Sequence, residues 1–270
     1  MIRAEPVARL RLSCAGGVGP GTLGTGWGME FRILGPLAVI RADGRPAVLG
    51  GRKPRTLLAA LLLARGRVVP DERLVSLLWE GERPSTVDAQ LCTYASRLRK
   101  GLGRPARLVR AGGGYLLAPD GGTVDAAEFE RLASAGHDEL RAGAAERAAG
   151  LFGTALDLWR GPVLAGIAEP LRAGESARFE ELRLAVLESR IEAEVVVGAH
   201  LRAVPDATGL VLEHPLRERA RALLMAALCA SGRPADAVAV YHRGRRILDE
   251  RLGIAPGPVL RAAYQRALSG

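Results

Sequence analysis

The sequence predicts a mainly α-helical fold with a small β component, and three observations predict it. Residues 85–102, STVDAQLCTYASRLRKGL, set Val87, Leu91, Ala95, Leu98 and Leu102 on one stripe at about 100° per residue, the mark of an amphipathic helix with one buried face. Short runs rich in Phe, Ile, Leu and Val, bounded by Gly and Asp-Gly turns, lie on both sides of this helix and read as strands. Beyond residue 124 the chain reads as helix almost throughout.

Charge divides the chain in the same place. The protein has 270 residues, 48% of them hydrophobic, enough for one or two domains with a substantial core. Its net charge of +9 is not spread evenly: residues 1–28 hold three basic and one acidic side chain, residues 29–120 hold 16 and 8, and residues 121–270 hold 19 and 20. A domain that meets a polyanion, followed by one that does not, is the expected arrangement. The longest apolar runs, 57–64 and 222–230, fall far short of the roughly 20 residues that span a bilayer. The first residues lack the apolar stretch of about 7 to 15 residues that a signal peptide needs, so no membrane partner is expected and the expected location is the cytoplasm. Cys14, Cys92 and Cys229 stand apart, with no CxxC pair and no His at ligand spacing, which predicts neither a disulfide framework nor a metal site.

Residues 1–28 contain seven glycines and no apolar period, so they are expected to form a disordered tail that folding does not need. Residues 30–40, EFRILGPLAVI, read as a strand, with Asp43-Gly44 as the hairpin turn before a second strand over 47–49. Pro54 suits the first turn of a helix running to about residue 64, with Gly66 as its stop and Leu57, Leu58, Leu61 and Leu62 as its buried face. A short strand over 68–69 follows. Asp71 is expected to cap a second helix over 71–79, and Gly81, Glu82, Arg83 and Pro84 form a turn before the basic helix. Ser85 with Asp88 three residues on reads as a capping box, which starts that helix at Thr86. Strands over 107–110 and 115–117, joined across Ala111-Gly112-Gly113-Gly114, complete residues 29–120 as a winged helix-turn-helix.

The face of the 86–102 helix opposite its apolar stripe carries Ala89, Gln90, Thr93, Ser96, Arg97 and Lys100, with Arg99 on one flank. Small side chains and hydrogen-bond donors then project where a DNA major groove can meet them. Tyr94, Ser96 and Arg99 border this side and are candidates for clamping the flanking phosphates. Lys53, just ahead of the first helix, and Arg110, which opens the wing hairpin, lie off the recognition helix, so contact with phosphates or the minor-groove backbone is expected of them.

Residues 124–270 contain a faint repeat. Gly143, Ala148, Phe152 and Ala155 match Gly232, Ala237, Tyr241 and Gly244 at the same offsets, a turn glycine followed by small, aromatic and small positions on the second helix. This is the packing pattern of a tetratricopeptide-like helical hairpin, and the span between the two copies implies divergent or interrupted repeats.

Several runs together resemble a known family. Phe31-Arg32-Ile33-Leu34-Gly35-Pro36-Leu37, the 74–79 stretch ending in Trp79, Tyr94-Ala95-Ser96-Arg97-Leu98-Arg99 and Gly114-Tyr115-Leu116-Leu117 resemble the OmpR/PhoB-type winged helix, and more closely its version in the Streptomyces antibiotic regulatory protein (SARP) family. Ala155-Leu156-Asp157-Leu158-Trp159-Arg160-Gly161-Pro162, His214-Pro215-Leu216-Arg217-Glu218 and Leu252-Gly253-Ile254-Ala255-Pro256-Gly257-Pro258 are similar to that family's bacterial transcriptional activation domain over 124–270. The likeness runs from Met29 to about Leu268, and Cys92 departs from it, standing where these proteins often carry Gln. The resemblance implies an activator that binds double-stranded promoter DNA at short direct repeats as adjacent protomers. It also implies recruitment of RNA polymerase holoenzyme through Gly81, Glu82, Arg83 and Pro84, base reading by Arg97, and control of a secondary-metabolite gene cluster.

No catalytic constellation competes with this reading. Residues 50–56, GGRKPRT, lack the spacing of a phosphate-binding loop, and the four His are scattered with no HExxH pattern, so no cofactor is expected. Glu180-Glu181 and Glu192 with Glu194 lie beside Arg178, Arg183 and Arg190, where helical ion pairing explains them without catalysis. The alternative is a tetratricopeptide-like adaptor whose basic domain binds RNA or another macromolecule, and it predicts no sequence preference in duplex DNA.

Overall fold

The computed structural model of the protein describes residues 28–79, 81, 83–103, 106–118 and 121–269. The tail expected over 1–28 therefore lies, except for Gly28, outside the described residues. The amino-terminal half runs β1 (Glu30–Arg32), β2 (Ala38–Ile40), α1 (Arg52–Leu63), β3 (Val69–Pro70), α2 (Asp71–Leu78), α3 (Val87–Leu102), β4 (Arg107–Ala111) and β5 (Gly114–Ala118). The rest runs β6 (Thr123–Val124), α4 (Asp125–Arg141), α5 (Ala145–Leu156), α6 (Glu169–Val196), α7 (His200–Glu213), α8 (Glu218–Ala230), α9 (Pro234–Leu252) and α10 (Pro258–Ser269).

The first hairpin is tighter than the sequence suggests. The run 30–40 is not one strand: the chain reverses around Gly35, and β1 pairs antiparallel with β2 through Glu30↔Ile40, Phe31↔Val39 and Arg32↔Ala38. Asp43-Gly44 does make a turn, in which Asp43 Oδ1 accepts from the Arg45 amide at 2.9 Å, but 47–49 form no strand beyond the bridge Ile40↔Pro46. The reversal is zipped to a distant segment, with the Arg160 amide donating to the Leu34 carbonyl at 2.8 Å and the Leu164 amide to that of Ile33 at 3.1 Å. Gly35 is required by that approach: it has φ +149°, and a Cβ there would lie 3.0 Å from the Arg160 Cβ. Phe31 and Val39 are buried between half-buried neighbours, so the two three-residue strands alternate alike and together read as one longer strand across the turn.

Helix α1 buries Leu57, Leu58 and Leu61 completely. Asp71 is the first residue of α2 and Pro70 occupies the cap position, contrary to the expected Asp71 cap. The wing closes as a two-residue turn with both Gly112 (φ 53°) and Gly113 (φ 73°) left-handed, the requirement of a type I′ hairpin. Pairing of β3 with β5 and of β5 with β4 makes a second three-stranded sheet that fixes the wing beside α3. The first sheet has the order β2-β1-β6, its third strand arriving parallel to β1 from the start of the helical half. One buried cluster accordingly runs from Met29 through the winged helix to Phe129, Phe152 and Phe179, and a second from Leu184 to Ala267.

The helical half consists of the tetratricopeptide-like hairpins α4/α5, α6/α7 and α8/α9, with α10 packed on α8 and α9. Their turns hold Gly143, Gly198 and Gly232, all left-handed. Five residues on, Ala148, Ala203 and Ala237 are fully buried. Nine residues on stand Phe152, Ala207 and Tyr241, so the middle hairpin escaped detection because alanine replaces its aromatic. The family-like run around Pro215 is structural. Arg217 clamps the buried Glu188 at 2.6 and 3.2 Å, and Glu218 Oε2 accepts from the Gly257 amide at 2.6 Å just ahead of α10.

Candidate nucleic-acid interface

Helix α3 buries Leu91, Ala95, Leu98 and Leu102, as the stripe requires. Its start differs from expectation. Thr86, not Ser85, takes the cap position, and no side chain caps the first turn; Thr86 Oγ1 instead accepts from Gln90 Nε2 at 3.0 Å. Asp88 in the first turn and Arg99 and Lys100 in the last still complement the helix dipole.

A ladder of side chains locks α3 to the two helices before it. The Tyr94 hydroxyl donates to Gln90 Oε1 at 3.3 Å, its ring stacks on Trp79 at 6.1 Å between centroids, and Lys53 Nζ sits 4.1 Å over the Trp79 ring. Lys53, Gln90 and Tyr94 are thus joined through Trp79, whose part the sequence did not disclose because the contact links three separate elements. Thr93 is engaged by its own helix, donating to the Ala89 carbonyl at 2.8 Å.

A second set of contacts fixes the wing. Arg99 Nε donates to the Leu108 carbonyl at 2.9 Å, tying the end of α3 to β4. Arg110 donates to both oxygens of Asp71 at 2.5 and 2.6 Å, a bond that keeps its guanidinium protonated above the ordinary arginine range, and it also lies 4.7 Å over the Tyr115 ring. The Tyr115 hydroxyl donates to Cys92 Sγ at 3.5 Å, and burial followed by this hydrogen bond pushes the phenol pKa up.

What remains on the outer face is Ser96, Arg97 and Lys100, all exposed and, among the described residues, without a hydrogen-bond or ion-pair partner. Of the nine residues singled out from the sequence, these three are unengaged, while Lys53, Gln90, Thr93, Tyr94, Arg99 and Arg110 hold protein contacts. In the loop ahead of α3, Gly81 and Arg83 are exposed, and the Pro84 carbonyl accepts from the Val87 amide at 3.0 Å. Glu82 lies outside the described residues. Among the described residues no three His, Cys, Asp or Glu side chains gather as metal ligands, and no helix is long and apolar enough to cross a membrane.

Comparison with known proteins agrees with this geometry. Residues 44–117 match the family described as "Transcriptional regulatory protein, C terminal", and residues 124–268 match "Bacterial transcriptional activator domain". Regulatory protein AfsR of Streptomyces coelicolor is 44% identical over 89% of this chain, which spans only 24% of AfsR. Transcriptional regulator RedD of the same organism is 39% identical over 93% of this chain and 73% of its own length. The solved structure of Mycobacterium tuberculosis EmbR, in complex with a low-affinity phosphopeptide, superposes with a TM-score of 0.84 at 35% identity, covering 89% of this chain and 65% of that one. A winged helix whose third helix is braced from both sides, joined to stacked helical hairpins and matched along nearly its whole length by such regulators, places the chain in the Streptomyces antibiotic regulatory protein family of transcriptional regulators.

Proposed function

We propose that this protein is a sequence-specific activator that inserts α3 into the major groove of promoter DNA and lays the β4–β5 wing along the neighbouring backbone. Adjacent protomers occupy short direct repeats, the loop Gly81, Glu82, Arg83 and Pro84 meets RNA polymerase holoenzyme, and the regulated genes encode a secondary-metabolite pathway. The protein works in the cytoplasm and needs no cofactor or catalytic step. The observation that carries this reading is the outer face of α3, where Ser96, Arg97 and Lys100 stand without partners among the described residues, on a helix braced by the Trp79 ladder and the wing. Preorganised, unengaged donors on an exposed helix face suit base-edge and phosphate recognition. A genome-wide footprint, followed by mobility shifts on the recovered sites, tests it. Equal affinity for every duplex, with tighter binding to RNA, overturns it in favour of the adaptor.

Two substitutions separate the roles. Lys53 lies off α3, with its ammonium against Trp79, so Lys53→Ala is expected to weaken operator and random duplex alike. The slope of log affinity against log salt should fall by about one, measured across a salt series. Arg83 is exposed in the loop ahead of α3, so Arg83→Ala is expected to lower transcription several-fold in a purified system while operator affinity stays within about twofold. An affinity loss that tracks the transcription loss would place Arg83 on DNA instead.

A further inference from the structure

The near-even charge of the helical half conceals a division. Residues 121–236 hold 13 basic and 18 acidic side chains, whereas residues 237–270 hold six and two. Pairing divides at the same point. Among the described residues, 11 of the 13 arginines over 121–236 hold a carboxylate. Beyond them Arg243, Arg245, Arg246, Arg251, Arg261 and Arg266 are all exposed, and none of their guanidiniums has a hydrogen-bond or ion-pair partner among the described residues. Arg245 and Arg246 do have Asp249 and Glu250 four residues on, but base before acid is the weaker order for a helical pair.

The packing of α9 and α10 gathers these charges on one end of the molecule. Tyr241 stacks on Tyr264 with centroids 4.0 Å apart and planes at 10°, and His242 meets both rings edge-on at 5.5 Å. Only residues 253–257 separate the two helices, so α10 must run back along α9 for these rings to meet. Arg245, one turn after Tyr241, and Arg261, one turn before Tyr264, therefore reach the same level of the seam. Arg243 and Arg246, three residues apart, share the outer face of α9. Beneath them lies Arg221, 2% exposed, in a notch that Gly244 provides: a Cβ there would stand 2.7 Å from the Arg221 Cδ. Its Nε and Nη2 donate to the Pro215 carbonyl at 3.2 and 2.8 Å, and it holds no carboxylate among the described residues, although a buried arginine is rarely left without one. Burial, and then the nearby Arg243, lower its pKa.

We propose that the α9–α10 face is a second contact with duplex DNA, made to the phosphate backbone and indifferent to sequence. The inference rests on the DNA-binding reading of α3. Exposed guanidiniums with every N–H donor unspent suit phosphate oxygens, and an excess of one charge sign marks a surface for nucleic acid more than one for protein.

The test is fluorescence anisotropy of the full chain on its operator and on a random duplex of the same length, across a salt series. Replacing Arg245, Arg246 and Arg261 together by Gln should lower the slope of log affinity against log salt by about two to three on both duplexes, since each phosphate contact contributes about 0.9. Affinity at low salt should fall about fivefold or more on both. The control replaces Arg141, Arg147 and Arg172 by Gln, an equal loss of charge from arginines already held by Asp138, Glu139 and Glu169, and should leave the slope within about 0.5 of the parent. An unchanged slope in the first variant, or an equal fall in the control, overturns the proposal. So does a first variant that keeps its DNA affinity but loses transcription in a purified system, which would give the face to an acidic protein surface. Should that variant melt below the parent, Arg246→Gln alone decides, with an expected slope change of about one and none sinking the contact. A parent chain with no preference for its operator overturns the activator reading instead, while the slopes on random duplex still decide this one.

Discussion

Asp125→Ala is expected to destabilise the protein by about 3–5 kcal/mol, a large part of the roughly 5–15 kcal/mol that holds a typical domain folded. The carboxylate is only 1% exposed, at the point where the chain passes from β6 into α4. Its Oδ1 accepts from the Ile33 and Ala126 amides, both at 2.8 Å, and its Oδ2 from the Leu34 amide at 3.0 Å and the Arg160 guanidinium at 2.6 Å. One side chain thereby joins the end of β1, the start of α4 and the segment that covers the Gly35 reversal. Truncation leaves three main-chain donors and an arginine facing a buried gap, and each orphaned buried donor costs about 1–3 kcal/mol. The costs do not add fully, because water can enter beside Arg160, whose side chain is 29% exposed. Arg160→Ala should therefore cost less than Asp125→Ala, since the three amides keep their acceptor. Urea unfolding monitored by circular dichroism decides between them: the midpoint should fall further for Asp125→Ala, with an unchanged slope. A loss under about 1 kcal/mol for Asp125→Ala would mean that the halves are not joined through this carboxylate.

The contrast between α3 and Asp125 shows which parts of the structure the sequence disclosed. Helix α3 announces itself because its buried residues recur at helical spacing, and Leu91, Ala95, Leu98 and Leu102 are buried as that spacing demands. The wing turn is equally plain, since Gly112-Gly113 between apolar runs leaves little alternative to a tight hairpin. Asp125 gave no signal: an acid at a helix start is commonplace, and two of its three amide partners lie 91 and 92 residues earlier in the chain. The β1–β2 reversal was hidden for a related reason: it is held by main-chain bonds to residues 160–165, far along the chain, while the short strands on either side alternate like one longer strand. The site divides along the same line. Which residues share the outer face of α3 follows from helical geometry, whereas the diversion of Arg99 to the Leu108 carbonyl and of Arg110 to Asp71 depends on contacts across elements. A count of basic residues treats all of these as alike. The fold leaves Arg97 and Lys100 unengaged and ties the other two down.

That difference makes Arg97→Ala the sharpest test of base reading. Arg97 is exposed on the outer face of α3, has no partner among the described residues, and follows Ser96, whose small side chain leaves room for a base edge to approach. A guanidinium so placed can donate two parallel bonds to guanine O6 and N7, worth about 1–3 kcal/mol of discrimination, or roughly 5- to 150-fold in affinity. The expected result is a loss of that size on the operator, with little change on random duplex, and a flattened preference at one base pair in each half-site. Arg97→Lys should recover affinity but not the preference, because an ammonium offers charge without the planar fork. Arg99→Ala provides the contrast: losing the bond to Leu108 frees the wing from the helix, so affinity should fall for all sequences together and the melting temperature should drop with it. The readout is binding of each variant to a library randomised over the half-site, measured at several salt concentrations. Arg97→Ala lowering every sequence equally, with a shallower salt slope, would assign Arg97 to a phosphate and leave base reading to Ser96 and Lys100.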